Sequence, residues 1–288
     1  MTLKVRKLSY PLGAEITGID IREPLEDSVF SAIHSAFLEH CVLVFRGQPL
    51  TRDQHLAFSR CFGELDRNEA KANERPADYP EMTLVISKPK PNGEPATGRY
   101  TGQDWHTDHS HLPVAAQASL LRGVEVPQIG GDTMFCNMYR AYETLSDGMK
   151  KLLEGLYGVH MQGRAHIDNS TPHRAAESRR RHPAAAHPIV RVHPETGRKA
   201  LYVNEQIKII VGMTAEESKP LIQYLTQHAV RPQNVYRHQW QKHDLVMWDN
   251  RCLLHMALGD YDRTQVRHME RTTVNGTVSG YEYDGPLE

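Results

Sequence analysis

The sequence predicts a mainly β fold, a sandwich or jelly roll with helices laid against it. Three observations carry the prediction. Short β-prone runs at 82–87, 119–126, 189–193, 200–203 and 244–248 are separated by turn residues. Only a few stretches read as helices, and many short strands with few helices is the pattern of sandwiches and jelly rolls. No internal repeat, low-complexity tract or Gly/Ser linker divides the 288 residues, so one domain over 1–288 is expected.

Taken in order, Val29, Phe30, Ile33 and Phe37 recur at helical spacing, and the apolar run 41–45 after them reads as a buried strand. Thr51 and Gln54 have the spacing of a capping box, opening a helix to about Phe62 that Gly63 stops. The turn 194–197, with Gly197 at its end, predicts a hairpin between the runs at 189–193 and 200–203. Thr214 and Glu217 form a second capping box ahead of Leu221, Ile222 and Leu225; Pro220 inside this helix predicts a kink or a later start. Residues 163–188 are polar, prolines interrupt them, and they include Arg179, Arg180 and Arg181. Their length predicts a lid or a surface excursion, with the three arginines a solvated face that in a lid would attract anions.

The charge balance excludes several classes of partner. Lys+Arg (34) and Asp+Glu (35) nearly cancel and the isoelectric point is near 7.0, so neither nucleic acid nor an acidic membrane surface is called for. No apolar run reaches the ~18 residues of a membrane span, and the N-terminal stretch lacks the apolar centre of a secretory signal. Cys41, Cys61, Cys136 and Cys252 form no CxxC pair and fit reduced thiols in a cytoplasmic protein. Histidine is abundant, at 17 residues, and most are expected to be ordinary core or surface residues.

The stretch 104–111 holds the chemistry. In an extended segment alternate side chains share a face, so His106 and Asp108 can point together. On those two residues alone, a hydrogen-bonded pair and two ligands of one metal are both open readings. His255, downstream of Trp248, Asp249, Asn250 and Arg251, would complete two imidazoles and a carboxylate, a set that binds Fe(II) on one face and leaves positions open. The same donors suit zinc in a hydrolase, and a non-catalytic binding module is the third alternative. Arg267 and Arg271 are two fixed guanidinium groups suited to a dicarboxylate. Thr133, after the glycine turn Gly130 and Gly131, offers that carboxylate a hydroxyl. His109 and His111 follow the ligand pair and are candidates to line a substrate pocket. Trp105 and Trp248 are expected to pack around the site, and Asp249 and Asn250 to shape the turn or brace a ligand.

These motifs, WHTD at 105–108, GGDT at 130–133, WDNRxxxH at 248–255 and the two later arginines, resemble the taurine/2,4-dichlorophenoxyacetate dioxygenase family. The resemblance runs from 13–18 and 44–48 to 271–274. It implies a double-stranded β-helix (jelly roll, cupin-like) core holding Fe(II), with 2-oxoglutarate and O2 consumed and succinate and CO2 released as a C–H bond of the substrate is hydroxylated. It implies His106, Asp108 and His255 as metal ligands, Thr133 and Arg267 as the clamp for the distal carboxylate of 2-oxoglutarate, and Arg271 near its metal-bound end, meeting an anionic substrate. Homodimers or homotetramers are the assemblies such a resemblance brings with it. One departure is small: the arginines stand one position farther from His255 than in the taurine enzymes, the extra residue falling in 259–265.

The expected substrate is a small organic anion. The taurine enzymes place a histidine after the FGE-type turn and an asparagine three residues before the WHTD tryptophan. This chain has Asp66, Arg67 and Asn68 after that turn, and Gly102 before Trp105. That points away from taurine, and the stretches 42–50 and 244–252 resemble the phenoxyacetate branch, favouring an aryloxyalkanoate-like or other carboxylate; a sulfonate or alkyl sulfate of the taurine type is the alternative.

Overall fold

The computed structural model describes residues 3–67, 75–97, 102–161 and 183–287. The chain begins with β1 (Lys4–Lys7), β2 (Ala14–Thr17), helix α1 (Asp27–His40), β3 (Val42–Phe45), α2 (Arg52–Arg60) and β4 (Met82–Ser87). It continues through β5 (Val114–Glu125), β6 (Thr133–Asn137), α3 (Met138–Glu143), α4 (Asp147–Leu152), β7 (Tyr157–Met161), β8 (Ala184–Pro188), β9 (Val190–Val192), β10 (Lys199–Leu201) and β11 (Ile207–Ile210). The last elements are α5 (Ala215–Ala229), β12 (Val235–His238), β13 (Leu245–Asp249), β14 (Leu253–Ala257), β15 (Arg267–Val278) and β16 (Tyr281–Glu282).

One seven-stranded sheet runs β1-β2-β3-β13-β5-β15-β4, antiparallel except where β2 lies parallel to β3. Facing it are smaller sheets, β12-β6-β14 and β11-β7-β8-β16, with the β9–β10 hairpin beside them. The larger core fills the space between these layers, with Trp248, Phe135, Leu121 and Met269 among its buried residues. A second core, under α1 and α2 on the outer face of the large sheet, contains Phe37, Phe45, Phe58 and Leu120. The alternation of β3 and β13, whose every residue is buried, divides their side chains between the two cores.

The helix starts follow their caps. The Thr51 side chain accepts from Gln54 N while the Gln54 side chain accepts from Thr51 N, and Thr214 and Glu217 do the same for α5. The later start expected at Pro220 does not occur: α5 begins at Ala215 and passes through the proline, whose position is exposed, so the carbonyl it leaves unpaired meets water. Cys41, expected as the first strand residue, is instead the left-handed cap of α1 at φ 62°. The 194–197 turn forms as read, closing β9 on β10 with Gly197 at φ 69°.

Of the expected lid at 163–188, residues up to 182 lie outside the described residues. Its end does not fit a surface excursion: Ala184–Pro188 is a strand paired with β7, and Ala185, Ala186 and His187 are fully buried. Alanines carry little β-propensity, which hid this strand, yet small side chains are what close packing between sheets accepts. No helix among the described residues is long and apolar enough to cross a membrane.

Candidate active site

The three expected ligands converge at one end of the space between the sheets. Residue 106 bridges residue 255 as an isolated antiparallel pair, His106 N donating to His255 O (3.1 Å) and His255 N to His106 O (2.8 Å). His255 is on β14, which β6 holds in register, and this short bridge sets the two imidazoles 4.1 Å apart between ring centres. Asp108, two residues on, turns inward from the same segment. Ligand atoms of His106, Asp108 and His255 all lie within 4.8 Å of one another. Two imidazoles and one carboxylate so placed fit a metal bound on one face.

Each donor is held in the form a metal needs. The Asp104 carbonyl accepts from His106 Nδ1 at 2.8 Å, which leaves Nε2 as the nitrogen available to a metal. Burial, then His106, keeps His255 well below the usual imidazole range and therefore neutral. Burial alone would raise the Asp108 carboxyl. Arg271 opposes it most strongly, and with the neighbouring histidines it more than offsets burial and holds Asp108 ionised far below the ordinary carboxylate range.

Behind the carboxylate stands a chain of hydrogen bonds that the sequence pointed to only in part. Arg271 Nη1 donates to Asp108 Oδ1 (2.7 Å) and Ser119 Oγ to Oδ2 (2.7 Å). Asn250 Nδ2 donates to Ser119 Oγ (3.0 Å), and Asn250 Oδ1 accepts from Trp248 Nε1 (3.0 Å) and Asp108 N (3.2 Å). Asn250 thus braces a ligand, as expected. Asp249 shapes the turn, pairing with Arg251 (2.7 Å) and His193 (3.0 Å). Ser119 escaped notice because a serine inside a strand carries no motif; only its pairing opposite Trp248 brings it to Asp108.

A cavity of about 530 Å³ opens on the two imidazoles, with His106, His255, Thr133, Arg267 and Arg271 in its wall. Arg267 is buried and donates to Gly131 O (3.1 Å), and Thr133 Oγ1 accepts from Trp240 Nε1 (3.0 Å). Arg267 and Arg271 lie on one face of β15 by alternation. Val85, Leu121 and Leu258 give the wall apolar stretches, and Lys88 adds a cation. Gly102 stands beside His106 at φ +84°; a Cβ there would come within 3.1 Å of the imidazole. His109 and His111 are both buried, with rings 6.1 Å apart, and are not among the residues that line this cavity. The left-handed backbone at His109 (φ 57°) ends the alternation that carried His106 and Asp108 to one face.

This fold and site define a non-haem metal oxygenase of the jelly-roll type. The profile of the taurine catabolism dioxygenase TauD, TfdA family matches residues 4–273. The alpha-ketoglutarate-dependent 2,4-dichlorophenoxyacetate dioxygenase of Cupriavidus pinatubonensis is 37% identical over 92% of this chain and 95% of its own. The alkylsulfatase of Acinetobacter baylyi is 36% identical over 96% and 86%. The crystal structure of AAD-2 in complex with Mn(II) and N-oxalylglycine superposes with a TM-score of 0.83 at 31% identity, covering 98% of this chain and 100% of that one. The chain belongs to the TauD/TfdA family and is an Fe(II)/2-oxoglutarate-dependent dioxygenase, which decides against the zinc hydrolase and the binding module.

Proposed function

We propose that this enzyme hydroxylates a small aryloxyalkanoate-like carboxylate, with His106, Asp108 and His255 holding the iron. The observation that carries the reading is one cavity wall bearing both arginines of β15 beside the two imidazoles. When bound, iron and 2-oxoglutarate supply the oxidising power, and succinate and CO2 leave. Arg267 and Thr133 would take the distal carboxylate of 2-oxoglutarate, the guanidinium by charge-assisted hydrogen bonds and the hydroxyl by donation. Arg271 would serve two anions, Asp108 on one side and the substrate carboxylate on the other. The apolar side chains Val85, Leu121 and Leu258 would exclude water and suit an aryl or alkyl body.

The 2,4-dichlorophenoxyacetate relative favours a carboxylate. The alkylsulfatase, nearly as similar, supports an alkyl sulfate as the second reading. We further propose a single domain in the cytoplasm, where the four unpaired cysteines and ferrous iron both stay reduced.

The test is anaerobic addition of 2-oxoglutarate to the Fe(II)-loaded protein, followed by succinate release with aryloxyacetates and alkyl sulfates. A weak visible charge-transfer band, lost in Asp108→Ala and weakened in Arg267→Ala, is expected, with aryloxyacetates turned over best. Turnover of alkyl sulfates alone transfers the assignment to the second reading, and activity retained in His255→Ala sinks the ligand assignment.

A further inference from the structure

A second polar cluster lies apart from the cavity, where β7, β8 and β9 meet the segment after β10. His160 of β7, His187 of β8 and Tyr202 form a triangle of rings with centres 5.3 to 5.4 Å apart. Arg191 of β9 lays its guanidinium 5.0 Å from the centre of the Tyr202 ring. His160, His187 and Asn204 are fully buried, and Tyr202 and Arg191 are 3% and 5% exposed.

The cluster is short of acceptors. Both ring nitrogens of His160, Nη1 of Arg191 and Nδ2 of Asn204 are buried without a hydrogen-bond partner, and Tyr202 Oη has only the Arg191 side chain and Thr107 beside it. His187 is already satisfied by Leu112 O (3.0 Å) and Ser279 Oγ (3.2 Å), and Asn204 Oδ1 by Gln206 N (2.8 Å). A neutral imidazole donates one hydrogen, the tyrosine one, the amide two and the guanidinium more. So the unpaired groups are nearly all donors.

Among the described residues the cluster also carries an uncompensated charge. A guanidinium stays protonated in a protein, yet no carboxylate pairs with Arg191 among the described residues. The groups felt by His160 are His187, His111 and Arg191, none of them acidic. Among the described residues Tyr202 feels the Asp108 carboxylate, already engaged by Arg271 and Ser119. Burial holds His160 and His187 below the usual imidazole range, so they add no charge at neutral pH. A buried cation without a counter-ion is costly, and buried donors without acceptors add to that cost.

We propose that Arg191, His160, Tyr202 and Asn204 enclose a binding site for a small monovalent inorganic anion of the chloride class. Such an ion supplies the missing negative charge and accepts from several donors at once, which one water cannot do for the charge. Tyr202 has Thr107 as a further polar neighbour, and Thr107 Oγ1 donates to Asn250 O (2.7 Å). The anion would therefore sit one layer behind the turn that carries Asp108, as a structural ion outside the oxygenase chemistry.

The experiment is thermal melting of the chain in sodium chloride against sodium gluconate at constant ionic strength, paired with a crystal grown in sodium bromide and measured at the bromine edge. The expected result is a melting temperature that is flat at low chloride and then climbs by a few degrees with the logarithm of chloride concentration. Arg191→Met abolishes that dependence and Tyr202→Phe weakens it, and an anomalous peak lies among the four side chains. Should Arg191→Met fail to fold, Tyr202→Phe and the bromide peak decide. Melting indifferent to the anion, a bromide peak elsewhere only, or a water or a carboxylate of the chain at this point overturns the proposal.

Discussion

Arg271 Nη1 stands 2.7 Å from Asp108 Oδ1, so the arginine expected to meet the substrate also grips the carboxylate expected to bind the metal. Substrate recognition and metal retention are thereby joined in one side chain. Arg271→Gln is expected to weaken Mn(II) or Fe(II) binding by about 10–100-fold, the usual range for losing a group that orients a ligand. It is also expected to raise KM for an anionic substrate. Calorimetric metal titration beside steady-state kinetics separates the two effects; a raised KM with unchanged metal affinity would confine Arg271 to the substrate.

Ser119 and Asn250 form the other support. Asn250 is fully buried and joins Trp248, Ser119 and the Asp108 backbone. Ser119→Ala removes the hydroxyl that donates to Asp108 Oδ2 and should lower metal affinity about tenfold; it strands one buried donor, Asn250 Nδ2, and so should lower melting by less than the next variant. Asn250→Ala strands the Trp248 indole N–H and the Asp108 N–H, each at about 1–3 kcal/mol for a buried unpaired group. It should lower the melting temperature as well as metal affinity, and equal melting of the two variants would contradict that division.

Gly102 tests the cavity floor. A Cβ there meets His106 Cε1 at 3.1 Å, and φ +84° is strained for any side chain, by roughly 1–2 kcal/mol. Gly102→Ala should displace the imidazole, reducing turnover more than stability. Coupling of succinate to product is the sensitive readout, and wild-type coupling in the variant would mean that His106 has room to move.

The sequence exposed those parts of the site whose chemistry is local. His106 and Asp108 share a face by strand alternation, and the capping boxes of α2 and α5 are set by residues three apart, so all were readable. What depends on pairing between distant strands was hidden: Ser119 reaches Asp108 only because β5 lies against β13, and β8 was masked by its alanines. The left-handed histidine at 109 was hidden as well, since nothing in the sequence announces it. The double-stranded β-helix itself came from motif resemblance, whereas the runs of β-prone residues supported no more than a sandwich or jelly roll.

Acid sensitivity follows from two histidines outside the cavity wall. Burial, then Arg122, lowers His55 to about 3, and burial, then Arg191, lowers His187 to about 4. Both are neutral in the folded chain at pH 7, and in the unfolded chain they titrate near the ordinary value of about 6.5. Above that value the two states bind protons alike and the histidines leave stability unchanged. As pH falls below it, the unfolded state takes up protons that the folded state refuses, so stability declines by about 1.4 kcal/mol per pH unit for each histidine, until the folded pKa is reached. Glu270, whose pKa is lowered by Arg52 and Arg122 against the opposing effect of burial, adds its own loss at more acid pH. Urea unfolding between pH 8 and 4.5 should therefore show a flat region above about pH 7 and a steep fall beneath it. His55→Gln should flatten part of that slope whatever it costs at neutral pH, because the substitution removes the proton uptake itself; an unchanged slope would show that His55 protonates as readily folded as unfolded.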